Sequence, residues 1–353
     1  MLRQRVNEFE VVLDIIPQGP LLIVEGEQEP PPTVSLSEDV AFDEGVAEVL
    51  ERLRQRPQVE KEEVGDIDAR FVRTRRNCDA EPFVPGSSLK GILRQRAEQL
   101  ARTMGRGCCD PFAESSDVAD QREVSCSARI EQRRRVLAAE DQNLPEPEVY
   151  RLACPVCRLF GCLALASRLQ VTDAYLVSGS YQISTRDGVG IDRRRGGARE
   201  GAKFRHEVLE TGRFRTRLRI RNFELWQLGL LAYLLDDLIE GRIRLGHGTH
   251  RGLGKIGAEV REVTLTYFGA RTLHAQPDRV EVLGIGRLAA ETGLSNAEAY
   301  GFASEDGVLI EGVSGERDGL RYHWRFQPAQ QEQLWAGVAP LWQEFASAEP
   351  EED

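Results

Sequence analysis

The sequence lacks the features of membrane proteins and secreted proteins. No apolar run in its 353 residues approaches the roughly 20 residues of a membrane span. The N-terminal stretch "MLRQRVNEFEVVLDII" has charges too close to its apolar residues for the hydrophobic region of a signal peptide. These absences exclude a membrane protein and predict a cytoplasmic one. In that reducing compartment the seven cysteines are more often thiols or metal ligands than disulfides.

Catalytic motifs are also scarce. The order GxxxxGK[ST] of a nucleoside-triphosphate P-loop is missing, and all five histidines lie at or beyond His206, which leaves few general acid-base candidates. Acidic residues do cluster early in the chain, at Glu25, Glu27, Asp39, Asp43 and Glu44 and later at Asp66 and Asp68. Most acidic loops of this kind are only solvated.

Basic charge is concentrated in one region of a chain whose net charge is -11. Residues 186–221 hold twelve Arg or Lys and five Asp or Glu, a local surplus of +7. Within this region "RFRTRLRIR" has arginine at every second position, which in a β-strand places five guanidinium groups on one face. A solvated strand face with Glu partners on a neighbouring strand is one interpretation. Alternation over the whole strand favours the other, an unpaired positive track that binds a polyanion such as nucleic acid.

The order of elements predicts an α+β fold. Strand-like segments "EFEVVLDII", "SRLQVTDAYLV", "RFRTRLRIR" and "KIGAEVREVTLTYF" alternate with two amphipathic helices in the order strand, helix, strand, strand, helix, strand. This is the order of a ferredoxin-like βαββαβ core, which RNA-recognition modules also use. We expect Ser87 or Ser88 to cap the first helix and Asn222 to cap the second.

Long insertions interrupt this core, which we assign to residues 1–265. They cover residues 17–84, which are acidic and Pro-rich with a short helix near "EGVAEVLERLRQR", residues 105–166, which are Cys-rich, and residues 179–212, a basic hairpin. Residues 266–353 form a C-terminal α/β extension with an acidic tail. Strand signals at "LRYHWRF" and helix signals at "QQEQLWAGVAPLWQEFA" lie in this extension.

Two Gly-containing motifs suit phosphate binding. "PGSSLKG" places Ser87, Ser88 and Lys90 at a helix start, where free N–H groups and the helix dipole favour anions. "LGHGTHRGLGK" mixes four glycines with His247, His250 and Arg251, which suits close approach of a nucleic-acid backbone. Each motif also has a plainer interpretation, a capped helix with an exposed lysine and a flexible turn.

The cysteines of the second insertion form a candidate metal site. "CPVC" supplies Cys154 and Cys157, and two further thiolates complete a tetrahedral zinc site. We predict Cys109, Cys126, Cys154 and Cys157 as ligands of a structural zinc ion, with Cys108 as an alternative to Cys109. A redox CxxC pair or simply buried thiols would explain the same residues.

Four motifs in order, "PGSSLKGILR", "CPVCRLFG", "GIDRRRGGAREGAKFRHEVLETGRF" and "LGHGTHRGLGK", resemble the CRISPR-associated RAMP superfamily, and specifically the backbone subunits of type III effector complexes. The resemblance runs from about residue 8 to residue 262. It implies a ferredoxin-like core, assembly with other RAMP-type subunits along a guide RNA in antiviral defence, and a guide paired to target RNA. The motif "CPVCRLFG" resembles the zinc-bearing variants. A guide-processing nuclease of the superfamily is not favoured, because such enzymes usually rely on an early histidine.

The resemblance also implies roles for particular residues. Contacts to RNA are expected at these motifs from Ser87, Ser88, Lys90, Arg94, Ile191, Arg193, Arg194, Arg195, His247, His250 and Arg251. The alternation in "RFRTRLRIR", independently of the resemblance, adds Arg215, Arg217 and Arg219. Several family members cut target RNA through an acidic residue in the loop after the first strand, a reaction that would need Mg²⁺ here. This chain departs from the family pattern at that loop, "GPLLIVEGEQEP". Its candidates for an endoribonuclease site are Glu25, Glu27, Asp39 and Asp43.

Overall fold

The computed structural model describes residues 4–25, 67–76, 79–114, 123–177, 180–269, 278–293 and 298–347. Within these ranges the chain forms a mixed α+β structure in which the named strand pairs are antiparallel. The strands are β1 (Asn7–Pro17), β2 (Arg73–Arg76), β3 (Asp79–Val84), β4 (Leu169–Val171), β5 (Ala174–Leu176), β6 (Gln182–Ile191), β7 (Ala198–Thr211), β8 (Phe214–Arg221), β9 (Ile256–Phe268), β10 (Arg279–Leu283), β11 (Gly307–Glu311), β12 (Gly315–Asp318) and β13 (Arg321–Arg325). The α-helices are α1 (Gly86–Thr103), α2 (Cys126–Ala139), α3 (Glu146–Leu152), α4 (Pro155–Phe160), α5 (Leu225–Ile239), α6 (Ile285–Thr292) and α7 (Pro328–Ser347).

One large sheet organises the described part of the chain. Its strand order is β12-β13-β9-β1-β8-β5-β3-β2, and β4 also pairs with β8. Two smaller sheets consist of β6 with β7 and of β10 with β11. The four strand segments expected from the sequence occupy the middle of the large sheet, in the order β9, β1, β8 and then β4 with β5. The expected short helix near "EGVAEVLERLRQR" lies outside the described residues.

Alternation along the central strands separates a buried face from a charged face. On β8, Phe214, Leu218 and Ile220 are buried, whereas the arginines between them point to the other face. The buried side chains join those of α1 and α5 in one continuous hydrophobic cluster. Burial of this apolar face is the main stabilising contribution to the sheet and helix packing.

The helix caps differ from those expected. Helix α1 follows Pro85 with no side-chain cap, and the Gly86 N–H donates instead to Asp173 Oδ1 at 2.7 Å. A Cβ at Gly86 would lie 2.7 Å from the Val171 carbonyl oxygen, so only glycine fits there. The prediction that Ser87 or Ser88 caps this helix is therefore wrong, because a carboxylate from a neighbouring loop takes that role.

Helix α5 is capped by Glu224, which forms a capping box with Gln227. Asn222 was expected in that position. It lies instead in the left-handed region with φ 51°, and its side-chain oxygen accepts from the Val6 N–H at 2.9 Å. Asn222 thus ties β8 to the start of β1, and the cap prediction is wrong by two residues.

The C-terminal extension shares the sheet and the core with the residues before it. Strand β13 pairs with β9, and the expected boundary at residue 265 falls within β9. Helix α7 packs on α5 so closely that a Cβ at Gly229 would lie 2.4 Å from the Val338 carbonyl oxygen. No helix among the described residues is long and apolar enough to cross a membrane.

Candidate functional site

The arginines of β8 are paired with carboxylates of β1 and β9. Arg215 donates to Asp14 at 2.7 Å, Arg219 contacts both Glu8 and Glu10, and Arg217 lies 3.6 Å from Glu10. The two end arginines pair in the same way, Arg213 with Asp14 and Glu259 and Arg221 with Glu8. The expected unpaired positive track is therefore wrong, because β1 places an acidic side chain directly opposite each of three arginines.

Asp14 is the centre of this ladder of ion pairs. Its side chain is fully buried beneath Arg213, Arg215 and Arg261. Although burial alone would raise the pKa of Asp14, hydrogen bonds from Arg215, Arg261 and Arg213 lower that pKa to about 2. Much of the positive charge of this sheet face is thus compensated by its own carboxylates, and the charge available to Arg215, Arg217 and Arg219 for contact with RNA is reduced.

The basic hairpin presents its arginines differently. Strands β6 and β7 pair through Ile191 and Ala198, and the turn between them carries Arg193, Arg194 and Arg195 on its exposed surface. Asp192 Oδ1 accepts from the backbone N–H groups of Arg194 and Arg195, which fixes the turn. Within the part of the chain that the structure describes, the three guanidinium groups make no salt bridge.

Ile191, expected beside these arginines, is 64% exposed at the end of β6. An aliphatic side chain that is exposed next to three cations suits contact with the apolar face of a base as well as with phosphate. The geometry brings Ile191 and Arg193 to Arg195 together at one end of a long arm.

The residues at the start of α1 have mixed surroundings. Ser87 is exposed and Ser88 half-buried, and Lys90 Nζ donates to Ser167 Oγ at 2.8 Å. Burial, followed by the charge of Arg94, lowers the pKa of Lys90. Arg94 itself donates to the Gly161 carbonyl at 2.9 Å and to Cys157 Sγ at 3.3 Å, so it faces the cysteine cluster. This orientation does not favour the expected contact between Arg94 and RNA.

The Gly-rich loop packs against the segment that follows β1. A Cβ at Gly246 would lie 2.1 Å from the Leu22 carbonyl oxygen, and the His247 N–H donates to the same oxygen at 2.7 Å. At least one glycine of the motif is thus required by the protein's own backbone. His247, His250 and Arg251 remain exposed on the loop.

A cavity of about 740 Å³ lies where this loop meets the foot of the hairpin. It brings together segments that are distant in sequence, and the charged or aromatic residues that line it include Asp68, Arg186, Asp187, Phe204, Arg205, His206, His247 and Arg251. The Arg205 N–H donates to Asp68 Oδ2 at 2.7 Å, which fixes that carboxylate at the cavity wall. Burial first, and then the charges of Arg251, Arg186 and His247, lower the pKa of His206.

Of the four acidic residues expected at an endoribonuclease site, one lies within the described residues. Glu27, Asp39 and Asp43 lie outside the described residues, and Glu25 does not line the cavity, although its backbone N–H donates to the Arg70 carbonyl at 3.0 Å. Asp68 does line it. The acidic cluster was the one sequence signal for Asp68, and nothing indicated that this residue would lie near His206 and His247.

The cysteine cluster gathers the four residues expected as metal ligands. Cys109, Cys126, Cys154 and Cys157 are all buried, and their sulfur atoms lie within 4.8 Å of one another. Sγ of Cys109 lies 3.6 Å from that of Cys157 and 3.7 Å from that of Cys154. Tetrahedral zinc with Zn–S bonds of about 2.3 Å requires sulfur separations of about 3.8 Å, so the residues fit this ion. The thiol of Cys108, the alternative ligand, is directed to the Cys109 carbonyl instead.

Hydrogen-bond donors surround the cluster. The Cys154 N–H and the Arg129 guanidinium both donate to Cys126 Sγ at 3.1 Å, and Arg94 donates to Cys157 Sγ. Four thiolates around Zn²⁺ carry a net charge of -2, which two arginines at these positions would balance. Such an arrangement leaves no open coordination position and therefore suits a structural role rather than a catalytic one.

Comparison with known protein families agrees with these features. The family model described as the RAMP superfamily matches residues 65–257, which is more than half of the chain and includes the start of α1, the cysteine cluster, the hairpin and the Gly-rich loop. A comparison with curated protein sequences found no match. The family that the four motifs resemble is confirmed: the chain belongs to the RAMP superfamily.

Proposed function

We propose that the protein is a guide-RNA-binding backbone subunit of a type III CRISPR effector complex, which assembles along the guide and holds the guide-target duplex. The single observation that carries the proposal is the arginine-bearing tip of the β6–β7 hairpin, with three exposed guanidinium groups and no carboxylate partner among the described residues. Membership of the RAMP superfamily supports binding of CRISPR RNA. The finer assignment to a type III backbone rests on the order of the four motifs.

The strand order supports a ferredoxin-like core for this subunit. In a βαββαβ core of that kind the fourth strand lies beside the first, and the third lies between the first and the second. Here β9, β1, β8 and the pair β4 with β5 have that order, with α1 and α5 as the two helices. The arginines of the sheet face are largely compensated by their own ion pairs, so we place the RNA along the hairpin, the start of α1 and the Gly-rich loop.

Salt dependence of RNA binding tests the proposal. Each phosphate that the protein neutralises releases counterions, so affinity for a single-stranded RNA should fall steeply between about 50 and 200 mM salt. We expect the logarithm of the association constant to fall linearly with the logarithm of salt concentration, for several unrelated RNA sequences alike. An affinity that does not change with salt would contradict the proposal.

We also propose that Cys109, Cys126, Cys154 and Cys157 hold a structural zinc ion. These cysteines come from three separated segments of the insertion, and the ion would hold those segments together. Metal analysis of the purified protein after dialysis should find one zinc per chain. Replacing Cys154 with Ala should abolish zinc retention, whereas Cys108→Ala should retain it.

A second candidate function is cleavage of target RNA within the assembled complex. Asp68 favours it, because its carboxylate lines the cavity with His206 and His247 beside the arginine-rich hairpin. In this hypothesis Asp68, rather than Glu25, Glu27, Asp39 or Asp43, supplies the acidic group in the region after the first strand. A divalent ion such as Mg²⁺ would activate the attacking 2'-hydroxyl or stabilise the leaving oxygen.

Incubation of the guide-loaded complex with labelled target RNA and magnesium tests this candidate. Asp68→Asn should reduce the cleavage rate by at least about a hundredfold while target binding is retained. Glu25→Gln is the matched control, because it removes one acidic charge outside the cavity. Equal rates for both variants, or no product from the native complex, would exclude cleavage through Asp68.

A further inference from the structure

The cavity at the foot of the hairpin has a wall that the proposed function leaves unexplained. Phe204 and His206 lie on the same side of β7 with ring centroids 5.7 Å apart and an interplanar angle of 23°, which is a stacked arrangement. Both side chains are half-buried and both line the cavity. A third planar group can extend such a stack by packing on the outer face of one of the two rings.

Glycine at position 188 sets the position of this surface. Gly188 lies opposite Phe204 in the hairpin register, and a Cβ at Gly188 would come 2.2 Å from the Phe204 ring. The ring therefore lies across the backbone of β6, in space that any side chain at position 188 would occupy. This glycine is not in a turn and shows no positive φ. Glycine is required at position 188 because it leaves room for the Phe204 ring.

The cationic groups of the cavity differ in their partners. Arg186 pairs with Glu210 at 3.0 Å, and Arg205 pairs with Asp187 at 3.0 Å. Arg251 makes no salt bridge to any residue that the structure describes, and its guanidinium lies 5.8 Å from the centroid of the Phe204 ring. One cation that lies over the Phe204 ring and has no carboxylate partner among the described residues is thus available for an anionic group. Burial and the nearby cations hold the pKa of His206 down, which keeps its ring neutral and suited to stacking.

These features match the parts of one nucleotide. A base is a planar ring that stacks on aromatic side chains, and its phosphate needs a cation within a few ångströms. The cavity volume of about 740 Å³ lies within the range of about 300–1,000 Å³ that is common for small-ligand sites. We propose that this cavity binds one nucleotide of an RNA strand, with the base stacked on Phe204 and His206 and the phosphate at Arg251. The proposal rests on the RNA-binding function proposed above.

Two RNA oligomers of equal length, one with bases and one without, test the proposal. We would measure the affinity of the full chain for a twelve-residue oligouridine and for an abasic ribose-phosphate oligomer of the same length. The native protein should bind the oligouridine about tenfold more tightly, since stacking of one base contributes roughly that factor. The Phe204→Leu variant should lose most of this preference, and its salt dependence should be unchanged because no charge is removed.

Three further variants make the result decisive. Phe204→Tyr keeps an aromatic ring and should restore the preference for bases, so a loss seen only in Phe204→Leu is not a general folding defect. Phe112→Leu removes a ring that is 92% exposed beside the cysteine cluster and should leave the preference unchanged. Arg251→Ala should weaken binding of both oligomers by a similar factor, because it removes the cation at the phosphate.

The outcomes separate this proposal from the function on which it rests. If the native protein binds both oligomers equally and with steep salt dependence, the nucleotide site is excluded while RNA binding stands. If Phe204→Leu keeps the full preference for the oligouridine, the stacking surface lies elsewhere and the proposal is equally overturned. Binding of neither oligomer would overturn both proposals.

Discussion

Two arginine-rich regions of this protein have similar composition and different chemistry. Strand β8 carries four arginines and Arg213 directly precedes it, and each of these five is paired with an acidic side chain of β1 or β9. The hairpin tip carries Arg193, Arg194 and Arg195, which have no such partners in the described chain. A run of positive charge therefore does not identify a nucleic-acid surface by itself. The deciding factor is whether the fold places carboxylates within reach of the guanidinium groups.

The largest expected effect comes from removing the unpaired charges. Replacing Arg193, Arg194 and Arg195 together with Ala should weaken binding to single-stranded RNA by about a hundredfold, or about 2.7 kcal/mol, and reduce the salt slope by up to about three. Equilibrium binding at several salt concentrations measures both quantities. The unfolding free energy should change little, because the three side chains are exposed.

Replacing Arg217, Arg219 and Arg221 with Ala is the matched control, since it removes the same number of charges from β8. Those arginines already have partners, so RNA affinity should change by less than about threefold. If the β8 variant lost as much affinity as the tip variant, the distinction between the two regions would be wrong.

A smaller effect is expected from the buried carboxylate of the paired region. The pKa of Asp14 is lowered from 3.8 to about 2, so its pairing stabilises the folded state above pH 3.8 and this contribution is lost as the pH falls through about 2. Asp14→Asn should reduce the unfolding free energy by about 2 kcal/mol at neutral pH. Denaturant unfolding at a series of pH values should show the difference between variant and native protein shrinking toward pH 2.

Glu259→Gln provides the comparison for Asp14. Glu259 also pairs with Arg213 and Arg261, but its side chain is 46% exposed. Water screens exposed ion pairs, so this variant should cost clearly less stability than Asp14→Asn. Equal losses for both variants would show that burial of Asp14 is not what gives its pairing strength.

The smallest expected effect is that of one exposed β8 arginine. Arg217 is 58% exposed and lies 3.6 Å from Glu10, which already accepts a shorter bond from Arg219. Arg217→Ala should change the unfolding free energy by less than about 0.5 kcal/mol and RNA affinity by less than about twofold. A loss of RNA affinity of tenfold or more would place RNA on the sheet face after all.

The same contrast shows what the sequence alone can predict. Alternation in "RFRTRLRIR" identified β8 and its buried face, because that pattern is local. The partners of its arginines come from Glu8, Glu10 and Asp14, about 200 residues earlier, and no local pattern reports which strand will lie alongside. The prediction of the cap at α1 was wrong for a similar reason, since Asp173 reaches Gly86 from another loop.

The candidate sites follow the same division. The four cysteines were predictable, because cysteine is a rare residue type and the CxxC motif places one pair within a single turn of helix. The cavity was not predictable, since Asp68, Phe204 and His247 belong to three segments that only the folded chain brings together. Residue types that are common on surfaces, such as Asp and His, carry little information until their neighbours are known.

The hairpin formed by β6 and β7 is supported unevenly along its length. Its β6 strand spans ten residues, or about 33 Å, and among the strands that the structure describes it pairs with β7 alone. Isolated bridges from Leu21 to Leu209 and from Ala69 to His206 tie β7 to other segments. Beyond the residues that line the cavity, the end of the hairpin is a two-stranded ribbon within the described chain, and such a ribbon is marginally stable alone. We therefore expect the hairpin to be more rigid near these bridges than at its outer end. Arg193, Arg194 and Arg195 lie at this outer end.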